Sequence, residues 1–179
     1  MAVLVEALNV IVRLNRIKVK FNGGLVAFKR SVPNKTFCMD SRLARVGFMY
    51  PADAENYIAY LERNGLTFIS NGKATDIVVI DQFKGPTVAC DWIELITIKC
   101  QDKECRACKL KSEPNDTLSL SAPVWWKFGE AKIFYFENEE AKNRMMYLGK
   151  EGSVECYFDL YTAKDLYVGR TTGIEGSKK

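Results

Sequence analysis

The sequence predicts an α+β fold, with a predominantly antiparallel sheet and a few packed helices. Three observations carry that expectation. Residues 43–81 read strand, helix, strand, turn, strand, which suits a helix packed on one face of an antiparallel sheet. Trp92 to Ile98 (WIELITI) and later segments are strongly β-prone. The 179 residues are 47% hydrophobic and 27% charged, so the chain can bury a sizeable core. The length fits a single domain, 1–179, with room for two lobes. These would be a strand and helix lobe over 1–98 and an aromatic, β-rich lobe over 117–172. A polar, cysteine-containing loop over 99–116 would join them.

Leu8 to Leu14 (LNVIVRL) is β-branched and apolar and reads as a strand, though Ile11, Leu14 and Ile17 also continue a helical period. Asn22-Gly23-Gly24 breaks the chain. Leu25 to Arg30 reads as a short helix that ends before Pro33, and Leu43 to Met49 (LARVGFM) as a strand. Pro51 then suits a first helical turn, where Asp53 and Glu55 favour the positive end of the dipole. Ala54, Tyr57, Ile58 and Leu61 recur at helical spacing, and Asn64-Gly65 gives a stop. Leu66 to Ile69 is a short strand, Asn71-Gly72 a hairpin signal, and Asp76 to Asp81 (DIVVID) the next strand.

Further on, Gln101 to Asp116 reads as a polar loop, Lys132 to Phe136 as a strand, and Glu139 to Leu148 as a helix. Val154 to Leu160 and Leu166 to Arg170 read as paired strands around the turn Thr162-Ala163-Lys164-Asp165. Gly173 to Lys179 is small and polar and is expected to fray.

The chain has no histidine. That excludes Ser-His-Asp and Cys-His catalysis, histidine metal ligands and an imidazole switch near neutral pH. The net charge of +4 is unevenly spread. Residues 1–50 hold nine Lys/Arg against two Asp/Glu, whereas residues 91–179 hold fourteen against fifteen. A basic face attracts an acidic protein, nucleic acid or an anionic ligand, or simply keeps a protein soluble. Arg13, Arg16, Arg42 and Arg45 are its candidate contacts. No apolar run approaches the ~20 residues of a membrane span. Glu6 and Asn9 interrupt the apolar start, and no basic segment precedes it. The expectation is a cytoplasmic protein with no membrane contact and reduced thiols.

Cys100, Cys105 and Cys108 form a C-x4-C-x2-C cluster. A C-x2-C knuckle supplies two of the four ligands zinc requires, and the nearby Lys99, Lys103, Arg106 and Lys109 favour thiolates. Zinc is the one candidate cofactor, against a redox-active thiol cluster or incidental thiols. Asp81, Asp91 and Glu94 would meet if their strands paired across Gly85-Pro86. Exposed carboxylates flanking a turn are the plainer reading, and no catalytic residue is assigned. Trp125, Trp126 and the aromatic residues beyond them have acidic neighbours, which fits core packing or a protein-binding patch better than base stacking.

The run ALNVIVRL, then FNGGLVAFKRSVPNKTFCMDSRLARVGFMYPADAENYIAYLERNGLTF, with DIVVIDQFKGPTVACDWIE, covers residues 7–94. It resembles small bacterial α+β proteins of the toxin–immunity type. The resemblance implies a binding role and transfers no catalytic residue. The preferred expectation is a non-catalytic inhibitor that neutralises a protein toxin by direct binding, through Arg13, Arg16, Arg42 and Arg45 with Trp125 and Trp126. The alternatives are a nucleic-acid-binding protein using the basic first third, and a zinc- or thiol-dependent protein using residues 100–108.

Overall fold

The computed structural model describes residues 1–100, 103–114, 119–126, 145–151, 154–160 and 163–169. The chain begins with β1 (Ala2–Val5) and β2 (Leu8–Arg13). Two short helices, α1 (Leu14–Lys20) and α2 (Gly24–Arg30), lead to β3 (Cys38–Met39), β4 (Leu43–Phe48) and the longer α3 (Pro51–Arg63). A small hairpin of β5 (Ile69–Ser70) and β6 (Lys73–Ala74) precedes β7 (Ile77–Asp81) and β8 (Gly85–Pro86). The long hairpin of β9 (Ile93–Cys100) and β10 (Lys103–Leu110) is followed by β11 (Leu120–Ser121). Three further strands, β12 (Met145–Glu151), β13 (Val154–Asp159) and β14 (Lys164–Gly169), form a separate antiparallel sheet.

The fold is α+β with mostly antiparallel sheets. One sheet has the order β3-β4-β2-β7-β8, another β11-β1-β10-β9. Only the short β1–β11 pairing is parallel among the described strands. The alternation of side chains explains how these two sheets stack. Val10, Val12, Ala44, Val46, Ile77 and Val79 point to one face, where they pack with Leu14, Ile17, Phe28, Tyr57 and Leu61 from the three helices. Ile11, Leu43, Val78 and Ile80 point to the other face, where they meet Val3, Val5, Ile93 and Cys108 of the second sheet. The central five-stranded sheet is therefore covered on both sides. That is why IVVI in β7 is continuously apolar although its pairing is antiparallel.

β1 and β2 belong to different sheets, so the chain changes sheet within Glu6-Ala7. Ala7 adopts a left-handed φ of 56° there. The Gln82 side chain accepts the Ala7 amide hydrogen, and the Gln82 amide donates back to the Ala7 carbonyl at 3.0 Å. The third sheet rests on the start of α3, where Met145 packs against Met49, Tyr50 and Tyr157.

The strands over 8–13, 43–48, 77–81 and 93–100, the helices α2 and α3, and the β13–β14 pair follow the sequence reading. The strand expected over 66–69 begins only at Ile69, in β5, and Leu14 opens α1 rather than ending the strand before it. Two further segments differ more. Residues 103–110, expected in a polar loop, form a strand paired on both sides, with β1 and β9. Its polar residues find partners directly opposite in β9. Glu104 meets Lys99 at 2.8 Å, Arg106 donates to Thr97 Oγ1 at 2.8 Å, and Lys109 meets Glu94 at 3.0 Å. Residues 145–148, expected at the end of a helix, lie in β12, where Tyr147 opposes Tyr157 with ring centroids 5.3 Å apart. The expected strand over 132–136, the rest of that helix and the tail 173–179 lie outside the described residues. No helix among the described residues is long and apolar enough to cross a membrane.

The two ion pairs of the β9–β10 hairpin differ in burial, and burial decides their worth. Lys109 is 2% exposed and also donates to the Glu113 carbonyl at 2.7 Å. Lys109→Ala is expected to lower stability by about 2 kcal/mol in urea unfolding, because it empties a buried site and removes the donor to the half-buried Glu113 carbonyl. Lys99→Ala, at an exposed pair, is expected to leave the unfolding midpoint unchanged.

Candidate functional site

Six of the nine basic residues of the first third fall into three groups, while Lys29, Arg30 and Lys35 are exposed and belong to none of them. Arg45 enters the interior. It sits on β4 opposite Ile11 and Cys38, on the side that faces the second sheet, and is 2% exposed. Its Nε donates to Asn9 Oδ1 at 2.6 Å, Nη1 to the Thr36 carbonyl at 2.7 Å and Nη2 to the Glu6 carbonyl at 3.3 Å. Asn9 is fixed in turn, as its amide donates to the Ala7 and Ile80 carbonyls. Arg45 therefore offers no surface to a partner, although the sequence reading placed it among the contacts. The signal for this was Gly47, two residues on and on the same face. A Cβ there would lie 2.7 Å from Arg45 Nη2, so glycine leaves the room the guanidinium occupies.

Around Arg45 burial competes with charge. Burial works against the guanidinium, while Cys38 and Glu6 favour its charged form. Burial also raises the Cys38 thiol despite the neighbouring Arg45, which keeps the sulfur protonated rather than nucleophilic. Glu6 Oε1 accepts the Trp126 indole N–H at 2.8 Å, whereas Oε2 is buried with no hydrogen bond among the described residues. Burial accordingly holds the Glu6 carboxyl above the usual carboxylate range, against the pull of Trp126 and Arg45.

Arg16 belongs to a second group. Asp76 is fully buried and holds Lys20 at 2.8 Å and Arg16 at 3.4 Å, so these cations are already paired with a carboxylate.

The third group is open. Arg13, Lys18 and Arg42 line one depression of roughly 360 Å³ with Asn15, Ser41, Leu110 and Ser112. Arg13 ends β2, Asn15 and Lys18 lie on α1, Ser41 and Arg42 precede β4, and Leu110 ends β10. The cavity thus forms where three segments of the two stacked sheets end together. The Arg13 guanidinium lies over the Trp92 ring at 5.4 Å, and Trp92 is itself held by its indole N–H to the Ala74 carbonyl at 3.0 Å. Arg42 Nε is 3.7 Å from Glu113 Oε1, whose other oxygen holds the Met1 amino group at 2.7 Å. Neither Arg13 nor Lys18 has a carboxylate partner among the described residues. Among the described residues no carboxylate lines the cavity. Spacing in the sequence could not join Ser41 and Ser112 to the α1 cations, since only the stacking of the sheets does so.

The two tryptophans sit together on the strap after β11. Trp125 is 44% exposed, and its indole N–H donates to the Lys35 carbonyl at 2.8 Å. Trp126 is half-buried against Glu6. They do not line the basic cavity.

The cysteines do not form a knuckle. Cys105 and Cys108 lie on β10, where residues three apart face opposite sides of the sheet. Cys108 is fully buried, and burial raises its thiol well above the ordinary range. The side chain of Cys100 lies outside the described residues. Among the described residues no three Cys, Asp or Glu side chains gather as a metal site. Asp81, Asp91 and Glu94 also stay apart. Asp81 accepts the amides of Phe83 and Lys84, Asp91 pairs with Lys73, and Glu94 pairs with Lys109.

Comparison with protein-family models, curated proteins and solved structures finds no match.

Two outcomes follow from the Arg45 node. Gly47→Ala is expected to destabilise the protein by about 1–3 kcal/mol, and the loss should shrink in an Arg45→Met background, as a double-mutant cycle in urea would show. Glu6 binds its proton more tightly folded than unfolded. Its contribution to stability therefore falls as pH rises from the usual glutamate range through its raised folded value. Glu6→Gln is expected to remove that fall, seen as a wild-type minus variant difference across urea midpoints from about pH 4 to 7.

Proposed function

We propose that this protein is a non-catalytic binding protein of the bacterial cytoplasm, an immunity-type inhibitor that neutralises a protein toxin by direct binding. The gathering of Arg13, Lys18 and Arg42 on one face, with no carboxylate among the described lining residues, carries the reading. Other cations are spent internally: Arg45 on backbone carbonyls and Asn9, and Arg16 and Lys20 on Asp76. The three cations of the cavity form a local cluster that fits an acidic partner surface, which it would steer toward the face and hold in register. Trp125, exposed and with its indole N–H already anchored, supplies an aromatic contact of the kind that dominates interfaces.

Charge also favours a second reading. A cluster of cations attracts nucleic acid, with an affinity that falls steeply as salt is raised. A protein interface depends far less on salt once its apolar anchors engage.

The test is capture of a partner by the tagged protein, with the products of the adjacent genes as first candidates. Arg13→Glu with Arg42→Glu is expected to weaken capture at least tenfold, since both rows of charge are reversed. Arg16→Glu is expected to act through stability instead, because Arg16 is committed to Asp76. Capture unchanged by the double reversal would dismiss this interface, and tight binding to generic RNA or DNA lost by moderate salt would favour the second reading.

A further inference from the structure

We infer that the Arg13–Lys18–Arg42 cavity is a binding site for a phosphate dianion, free or as the end group of a small monoester. This goes beyond the inhibitor reading and stands whether or not a protein docks on the same face.

The lining residues match that chemistry. Arg13, Lys18 and Arg42 bring three positive charges from three segments, and Ser41, Ser112 and Asn15 add neutral donors between them. A carboxylate is planar, carries one charge and is satisfied by one forked arginine. A phosphate has oxygens in four directions and up to two charges, which suits two guanidinium groups, an ammonium and hydroxyls arranged around a hollow. The volume of roughly 360 Å³ lies in the range of small-ligand sites, so a phosphate and a short organic group both fit.

The donors are also held in advance. Trp92 fixes Arg13 from one side, and Trp92 is fixed by Ala74. Glu113 at 3.7 Å orients Arg42 without making a close pair. Lys18 makes no ion pair among the described residues, and its flexible stem is free to reach the bound group. Pre-set donors lower the entropy a ligand loses on binding. Lys20 and Arg16 lie on the same short helix but turn to Asp76, so the cavity draws on a chosen subset of the α1 cations.

The experiment is a titration of the isotope-labelled full chain by nuclear magnetic resonance at constant ionic strength. The probes are inorganic phosphate, ethyl phosphate, acetate and a short single-stranded oligonucleotide. Saturable shifts centred on Arg13, Lys18, Arg42 and Ser112 are expected with phosphate and not with acetate. Tighter binding of ethyl phosphate would identify a monoester as the ligand class, and tighter binding of inorganic phosphate would identify the free ion. Lys18→Gln removes an exposed charge with no ion pair among the described residues and is expected to weaken binding about tenfold. Lys29→Gln, on α2 and outside the cavity, is expected to change nothing. Acetate giving the same shifts, or the two lysine variants behaving alike, would overturn the site in favour of diffuse surface charge. Oligonucleotide affinity growing with the number of phosphates would overturn it in favour of a nucleic-acid surface. Failure to capture a protein partner would bear only on the inhibitor reading.

Discussion

The buried guanidinium of Arg45 is the constraint around which the two stacked sheets are arranged. Its donors lie in a rigid fork, so their acceptors must stand at fixed points. Those acceptors come from separated parts of the chain: Asn9 in β2, the Thr36 carbonyl before β3, and the Glu6 carbonyl where the chain changes sheet. The loop before β3 is pinned as well, since Thr36 Oγ1 accepts the Gly47 amide at 2.7 Å and Asn34 donates to the Gly47 carbonyl at 2.9 Å. Apolar contacts such as Val3, Val5 and Val78 supply most of the driving force, but they tolerate small slips. A buried charge with three designated acceptors does not, because a one-residue slip in β4 would turn the charge onto the helix face and leave it unpaired.

That constraint also explains how a strongly basic first third becomes a local surface feature. Nine cations accompany two carboxylates over residues 1–50. The fold removes Arg45 from the surface and brings Asp76, from outside that segment, against Arg16 and Lys20. What remains uncompensated at the β2–α1 junction is Arg13 and Lys18, with Arg42 only loosely held by Glu113. Linear counting correctly located the excess charge but could not divide it among interior, paired and open positions, since the dividing contacts are long-range.

Much of the fold was legible because the segments concerned obey one rule at a time. α3 combines Pro51 at its start, a four-residue apolar stripe and Asn64-Gly65 at its end. β7 is apolar from Ile77 to Ile80, and the Asn71-Gly72 turn names its own geometry, with φ of 51° and 74°. β10 was illegible because its sequence, KECRACKL, is polar and cysteine-rich. Its strand character comes from partners on both sides, and its charges are answered one by one across the hairpin. The same fact dissolves the cysteine motif, which has meaning on a turn and none on a strand.

The cavity departs from what stability alone would favour. Like charges held near one another repel, and an exposed site would ordinarily interleave them with carboxylates, as β9 and β10 do with Lys99 and Glu104. Here the fold does the reverse. It stacks one guanidinium on Trp92, sets another at 3.7 Å from Glu113 and gives the lining ammonium of Lys18 no ion pair among the described residues. Each of the three is carried by a segment that the sheets hold in place, so the repulsion cannot relax by rearranging the backbone. Local rules are obeyed almost everywhere else in the two stacked sheets, and a site that breaks them on a rigid frame is where binding is to be sought.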